Sequence, residues 1–72
     1  MNFGEVLEGL KDGKKYERRG WNGANMFIAL QNPDDRSKMR RSYIYMSPID
    51  GNLVPWVASH TDLLSNDWVT VL

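Results

Sequence analysis

A chain of 72 residues with no cysteine and a single histidine, His60, has to hold itself together without a covalent or metal staple. Disulfides and thiolate metal sites need Cys, and a histidine cluster needs more than one His, so no metal site is expected. A chain of this size buries only about 60% of the surface its unfolded form exposes, and a single core below about 70 to 80 residues supplies no more than a few kcal/mol. The composition is nevertheless that of a folded module, because 42% of the residues are hydrophobic and three are Trp, which is too apolar for a disordered chain. One domain over residues 1–72, helped by self-association, is what these features predict.

The longest stretch without a charged residue, 20–33, is broken by Asn22, Gly23, Asn25, Gln31 and Asn32. It falls well short of the roughly 18 apolar residues that a membrane span requires. Glu5 stands where a secretory signal would place basic residues, so a cytoplasmic location is expected. Nine Lys or Arg balance nine Asp or Glu. The balance is uneven along the chain: residues 11–41 hold all nine basic side chains and only four acids, Asp12, Glu17, Asp34 and Asp35, which leaves the remainder acidic. Such asymmetry suits an anionic partner, and equally a solvated basic face on a neutral protein.

The order of elements can be followed from the N-terminus. Asn2 with Glu5 three residues on forms a capping box, and Phe3, Val6, Leu7 and Leu10 repeat at helical spacing before Asp12-Gly13 ends the helix. Gly9 inside that helix costs about 1 kcal/mol relative to Ala and suggests close packing against a neighbour. Residues 14–19 alternate Tyr16 and Arg18 against Lys15 and Glu17, a short polar pattern that fits an edge strand. Residues 26–31 and 42–47 have strand composition. Ile49-Asp50-Gly51-Asn52 is a turn signal, and 53–58 returns as a strand with Pro55 marking a sheet edge or bulge. Ser59 and Asp62 then cap a helical turn through Leu63 and Leu64, and 68–72 alternates as a last strand. The residues predict an α+β fold, with an N-terminal helix packed on a four- to five-stranded antiparallel sheet and a short helical turn before the last strand. Residues 32–41 form the longest loop.

Few residue patterns here carry catalytic chemistry. Ser59, His60 and Asp62 include the residue types of a hydrolytic triad, but neighbours in sequence point apart and cannot relay a proton. Phosphate-binding glycine motifs of the P-loop and dinucleotide kinds do not occur. Two segments suit ligand capture instead. In Gly20-Trp21-Asn22-Gly23, glycines flank an indole that offers a flat stacking surface for a base, although the local pattern by itself favours Trp21 as a core aromatic and Asn22-Gly23 as a hairpin turn. Around Trp56, Ala58, Ser59, Thr61 and Asp62, an aromatic wall meets hydroxyls and helix-start amides, an arrangement that suits a phosphate or serves simply as an N-cap beside a core Trp.

The residues together resemble a known family. The opening Met1-Asn2-Phe3-Gly4-Glu5-Val6-Leu7-Glu8-Gly9-Leu10-Lys11-Asp12-Gly13-Lys14-Lys15, then Arg18-Arg19-Gly20-Trp21-Asn22-Gly23 and Met26-Phe27-Ile28, match it. So do Asp50-Gly51, Leu53-Val54-Pro55-Trp56-Val57-Ala58-Ser59, Thr61-Asp62-Leu63-Leu64 and Asp67-Trp68. Over almost the whole chain they resemble the second Thoeris anti-defence family, small phage and prophage proteins that act as sponges for immune signalling nucleotides.

The resemblance implies a non-enzymatic binder, without cofactor, that sequesters a cyclic ADP-ribose isomer made by a TIR-domain enzyme, so that the Thoeris effector stays off. It also implies a homo-oligomer, typically a tetramer, with cyclic dinucleotides as further ligands in some members. Carried over residue by residue, Trp21, Asn22 and Gly23 hold a base, with Met26 beside them. Arg18 and Arg19 meet the pyrophosphate, and Trp56, Ala58, Ser59, Thr61 and Asp62 form the second set. His60 departs from the family pattern, where a polar residue, often an amide, is usual. The rival reading is a single-stranded nucleic-acid module that uses Trp21, Tyr16 and the basic residues of 11–41, and zero net charge weighs against it.

Overall fold

The computed structural model of the chain describes residues 1–21 and 25–72. Helix α1 (Phe3–Lys11) starts as the capping box requires: Asn2 Oδ1 accepts from the Glu5 N–H at 3.0 Å, and the Asn2 N–H donates to Glu5 Oε1 at 3.1 Å. It stops at Asp12, and Gly13 takes the left-handed φ of +86° that allows the chain to turn away. The buried stripe runs through Val6, Gly9 and Leu10. Leu7, expected on the apolar face, lies about 100° round the helix from Val6 and is 37% exposed.

Strands β1 (Lys15–Arg18), β2 (Phe27–Gln31), β3 (Tyr43–Ser47), β4 (Val54–Pro55) and β5 (Trp68–Val71) form one sheet in the order β4-β3-β2-β1-β5. Every neighbouring pair is antiparallel. Short helix α2 (His60–Leu64) precedes β5. The α+β architecture is therefore the expected one. β1, however, is not at an edge: it lies between β2 and β5. Its polar appearance has another cause. Lys15 and Glu17 point to the face away from α1, and Arg18, on the helix side, is neutralised by acids described below. The edges are β4 and β5. The strand expected over 53–58 shortens to two residues at Pro55, which lacks the N–H to continue a ladder. Trp56 adds one further bond, its N–H donating to the Ile44 carbonyl at 2.9 Å.

The register sorts side chains by face, because directly opposed residues in antiparallel strands point the same way. Tyr16 pairs with Ile28 and Thr70, Arg18 with Trp68, and Ile28 with Met46, so these share the face under α1. There Val6, Leu10, Tyr16, Ile28 and Trp68 form the buried core, with Phe3, Trp21, Leu30, Ile44, Met46 and Trp56 around it. Gly9 is where helix and sheet approach most closely. A Cβ at that position would come within 2.5 Å of Tyr16 Cζ, which explains a glycine in mid-helix. The opposite face carries Phe27, Tyr43, Tyr45, Val69 and Val71, each half-buried.

Candidate ligand-binding site

All three tryptophans of the chain meet at one corner of the helix-covered face. Trp68, 1% exposed, is the hub: its ring centroid lies 5.3 Å from Trp21, 5.5 Å from Phe3 and 6.1 Å from Trp56. The interplanar angles of 79°, 61° and 88° are edge-to-face, the arrangement that ring quadrupoles favour. Phe3 also touches Trp56, at 5.8 Å. Trp68 is fully packed, whereas Trp21 and Trp56 remain half-buried on either side of it. Their uncovered surface is what the corner can offer to a flat ligand.

A polar network runs beneath this corner. α2 is capped by Ser59, whose hydroxyl accepts from the Asp62 N–H at 3.0 Å while Asp62 Oδ2 accepts from the Ser59 N–H at 3.2 Å. The other carboxylate oxygen, Oδ1, takes the Arg18 guanidinium at 2.8 Å and the Trp21 indole N–H at 3.4 Å. The Asp62 carbonyl oxygen accepts from the Trp68 indole at 3.0 Å. Arg18 also grips Asp67 with two of its nitrogens, at 2.8 and 3.4 Å. Asp67 Oδ2 in turn takes the Gly20 N–H at 2.9 Å, and the Asp67 carbonyl takes the Arg19 N–H at 3.1 Å.

These contacts set the charge states. Burial pushes the Asp62 carboxyl up, but Arg18, both groups of Ser59 and the Trp21 indole together hold it below the usual carboxylate range. Asp67 is also held low, chiefly by Arg18, whose own pKa is raised by Asp67 first and Asp62 second. An arginine with two carboxylates leaves the cluster with a net negative charge, none of it on an unbonded buried atom among the described residues.

Residues 1–71 match the family model described as a Thoeris anti-defense 2-like domain. The chain belongs to that family. It is 36% identical to the "Thoeris anti-defense 2" protein of Bacillus phage SP01, over 94% of this chain and 91% of that one. The function class of the Thoeris anti-defense 2-like family is anti-defence, as the resemblance implied.

Within this family member, the two ligand sets proposed from sequence converge. Asp62 of one set bonds Arg18 and Trp21 of the other, and Trp21 and Trp56 lean on the same Trp68. Met26 is half-buried at the start of β2, and Ala58 is half-buried near Trp56. Arg19, Ser59 and Thr61 are exposed. Asn22 and Gly23 lie outside the described residues. Arg18 and Asp62 are turned inward onto each other. Sequence reasoning did not single out Trp68, Phe3 or Asp67 as parts of this corner. The available signal was Arg18 itself, a cation sharing the Tyr16 face, which requires an acid from elsewhere in the chain.

A groove of about 550 Å³ lies apart from the tryptophans, bordered by Lys14, Lys15, Phe27 and Thr70. Lys15 Nζ sits 4.8 Å above the Phe27 ring there, an exposed cation–π contact. Among the described residues, none of those proposed for ligand binding lines it. Hollowness alone favours the groove, but the half-buried indoles have the chemistry to stack a base, so the tryptophan corner is the stronger candidate. No group of three or more His, Cys, Asp or Glu suited to a metal ion occurs among the described residues. Likewise, none of the described helices is long and apolar enough to cross a membrane.

Proposed function

We propose that this protein binds a cyclic ADP-ribose-type immune signalling nucleotide at the tryptophan corner and holds it intact in the host cytoplasm, without catalysis, so that the Thoeris effector is not switched on. The observation that carries the reading is that Trp21 and Trp56, from two separate segments, both stand half-buried against Trp68 in a chain of an anti-defence family. A base stacked on an indole contributes about 1 to 3 kcal/mol. Arg19, Ser59 and Thr61, exposed nearby in sequence, supply donors for the phosphates and ribose.

Self-association completes the proposal, with a homotetramer as the expected assembly. Its support is the apolar surface on the stretch that leads to and includes α2, where Val57 is 88% exposed and Leu64 81%, with Ile49, Leu53 and Leu63 also outside. The single-stranded nucleic-acid reading loses two members of its platform. Tyr16 is 3% exposed beneath α1, and Arg18 is engaged by Asp62 and Asp67.

The test is capture and release. The protein is incubated with the product of an active TIR enzyme, separated from free ligand, heated, and the supernatant assayed. Intact cyclic nucleotide in the supernatant is the expected result. A cleaved product would mean an enzyme, and an empty supernatant would remove this ligand class. Cyclic dinucleotides are run in parallel.

A further inference from the structure

Residue 62 touches two of the three indoles at once. Its side chain receives the Trp21 N–H and its main chain receives the Trp68 N–H, at 3.4 and 3.0 Å. Both carboxylate oxygens are used internally, Oδ1 by Arg18 and Trp21 and Oδ2 by Ser59, and the residue is 9% exposed. A carboxylate so engaged has no free face to offer a ligand. It does have a fixed position, since Arg18 and the cap of α2 hold it from two directions. Trp21 needs such a fixture. Its backbone is tied to the end of β1 by its N–H bond to the Arg18 carbonyl at 3.1 Å, but a half-buried indole without a bond at its N–H edge can still turn about its side-chain torsions.

We propose that Asp62 is the positioning residue for the Trp21 indole: it sets the ring's orientation from the N–H edge, and nucleotide affinity depends on it although it does not touch the nucleotide. This rests on the reading that Trp21 carries the ligand. A ring held in its binding orientation loses less rotational freedom on capture, which is how a residue outside the contact surface contributes affinity. Arg18 takes part at one remove, by holding the carboxylate.

The test uses Asp62→Ala, which removes both acceptor oxygens, with two readouts on the whole chain. The first needs no ligand: hydrogen exchange of the three indole N–H groups, with the Trp21 signal assigned by its loss in Trp21→Phe. The second is calorimetric affinity for the cyclic ADP-ribose isomer. The expected result is exchange at the Trp21 indole accelerated about tenfold or more, with sheet amides and the Trp56 indole unchanged, together with an affinity loss of about tenfold. Unchanged exchange at Trp21 would overturn the proposal, and so would unchanged affinity. An affinity loss without any change at Trp21 would instead make Asp62 a direct ligand contact. If the wild-type protein binds no cyclic nucleotide, the sponge reading fails while the exchange measurement still decides whether Asp62 fixes the ring. Should Asp62→Ala not fold, Arg18→Lys, which keeps the carboxylate and loosens its anchor, is measured in the same way with the same expected directions.

Discussion

At Gly9 a local preference and a tertiary contact oppose each other, and the contact wins. Ala is favoured over Gly in a helix interior by about 1 kcal/mol. Yet the Tyr16 ring fills the space a Cβ would need, and overpacking a closed core costs about 1 to 3 kcal/mol. Gly9→Ala is therefore expected to lower the thermal midpoint, and Tyr16→Phe, which removes the hydroxyl nearest that Cβ, to recover part of the loss. A higher midpoint for Gly9→Ala alone would show the helix free to shift away from β1. Trp21 presents the converse case, an indole only partly used by the core. Trp21→Ala should fold and assemble but lose at least about tenfold in nucleotide affinity, consistent with a stacking contribution of about 1 to 3 kcal/mol. Calorimetry beside a thermal melt separates the two effects. A variant that unfolds would assign the indole to structure alone.

At the scale of elements, the chain between β1 and the Trp21 turn is clamped to the stretch from α2 to β5 by Arg18, Asp62 and Asp67. The clamp has a pH signature. Both carboxyls titrate below the ordinary value of about 3.9 in the folded chain, so between the folded and unfolded values the native state holds fewer protons and stability rises with pH. The contribution is complete above about pH 5 and is lost as pH falls below about 4. Thermal midpoints should be level from about pH 5 upward, at least as far as this clamp is concerned, and fall steeply below about 4. Asp62→Asn should flatten that fall and lower the plateau, because it leaves Arg18 partly unpaired. An unchanged slope would mean that other acids govern the acid limb. The same clamp marks the limit of what local sequence reveals. The capping boxes at Asn2 and Ser59, the Gly13 stop, the strands and Pro55 at an edge were all legible, since each depends on neighbours within four residues. The central place of β1 was not, because the acids that let Arg18 lie inside the sheet are 44 and 49 positions away. Of the candidate site, both segments were legible from their aromatic and glycine or hydroxyl content, but their convergence on Trp68 required the β1–β5 pairing.

At the scale of the whole molecule, both helices lie on one face of the sheet. The other face keeps Phe27, Tyr43, Tyr45, Val69 and Val71 half-buried, and the stretch through α2 exposes Val57, Leu63 and Leu64. A short chain without a staple and with this much apolar surface outside would gain stability by burying it against further copies, the basis of the proposed self-association. Light scattering at micromolar concentration should give a mass several times 8.3 kDa, a tetramer on the proposed reading, and a folded monomer would contradict it. How the molecule uses charge then separates its two candidate ligand classes. A protein that tracks a nucleic-acid strand neutralises several phosphates and releases their counterions, so its affinity falls steeply with salt. A site that encloses one small nucleotide relies on stacking, hydrogen bonds and shape, and makes few ionic contacts. Here the basic and acidic side chains are equal in number, Arg18 is already paired, and Arg36, Lys38, Arg40 and Arg41 lie exposed in the loop between β2 and β3, far in sequence from all three tryptophans. Calorimetric titrations at low and high salt are therefore expected to give tight cyclic-nucleotide binding with a shallow salt slope, and no appreciable binding of single-stranded oligonucleotides. If oligonucleotides bind tightly with a steep slope while cyclic nucleotides do not bind, the loop cations are the functional surface and the tryptophan corner is a structural one.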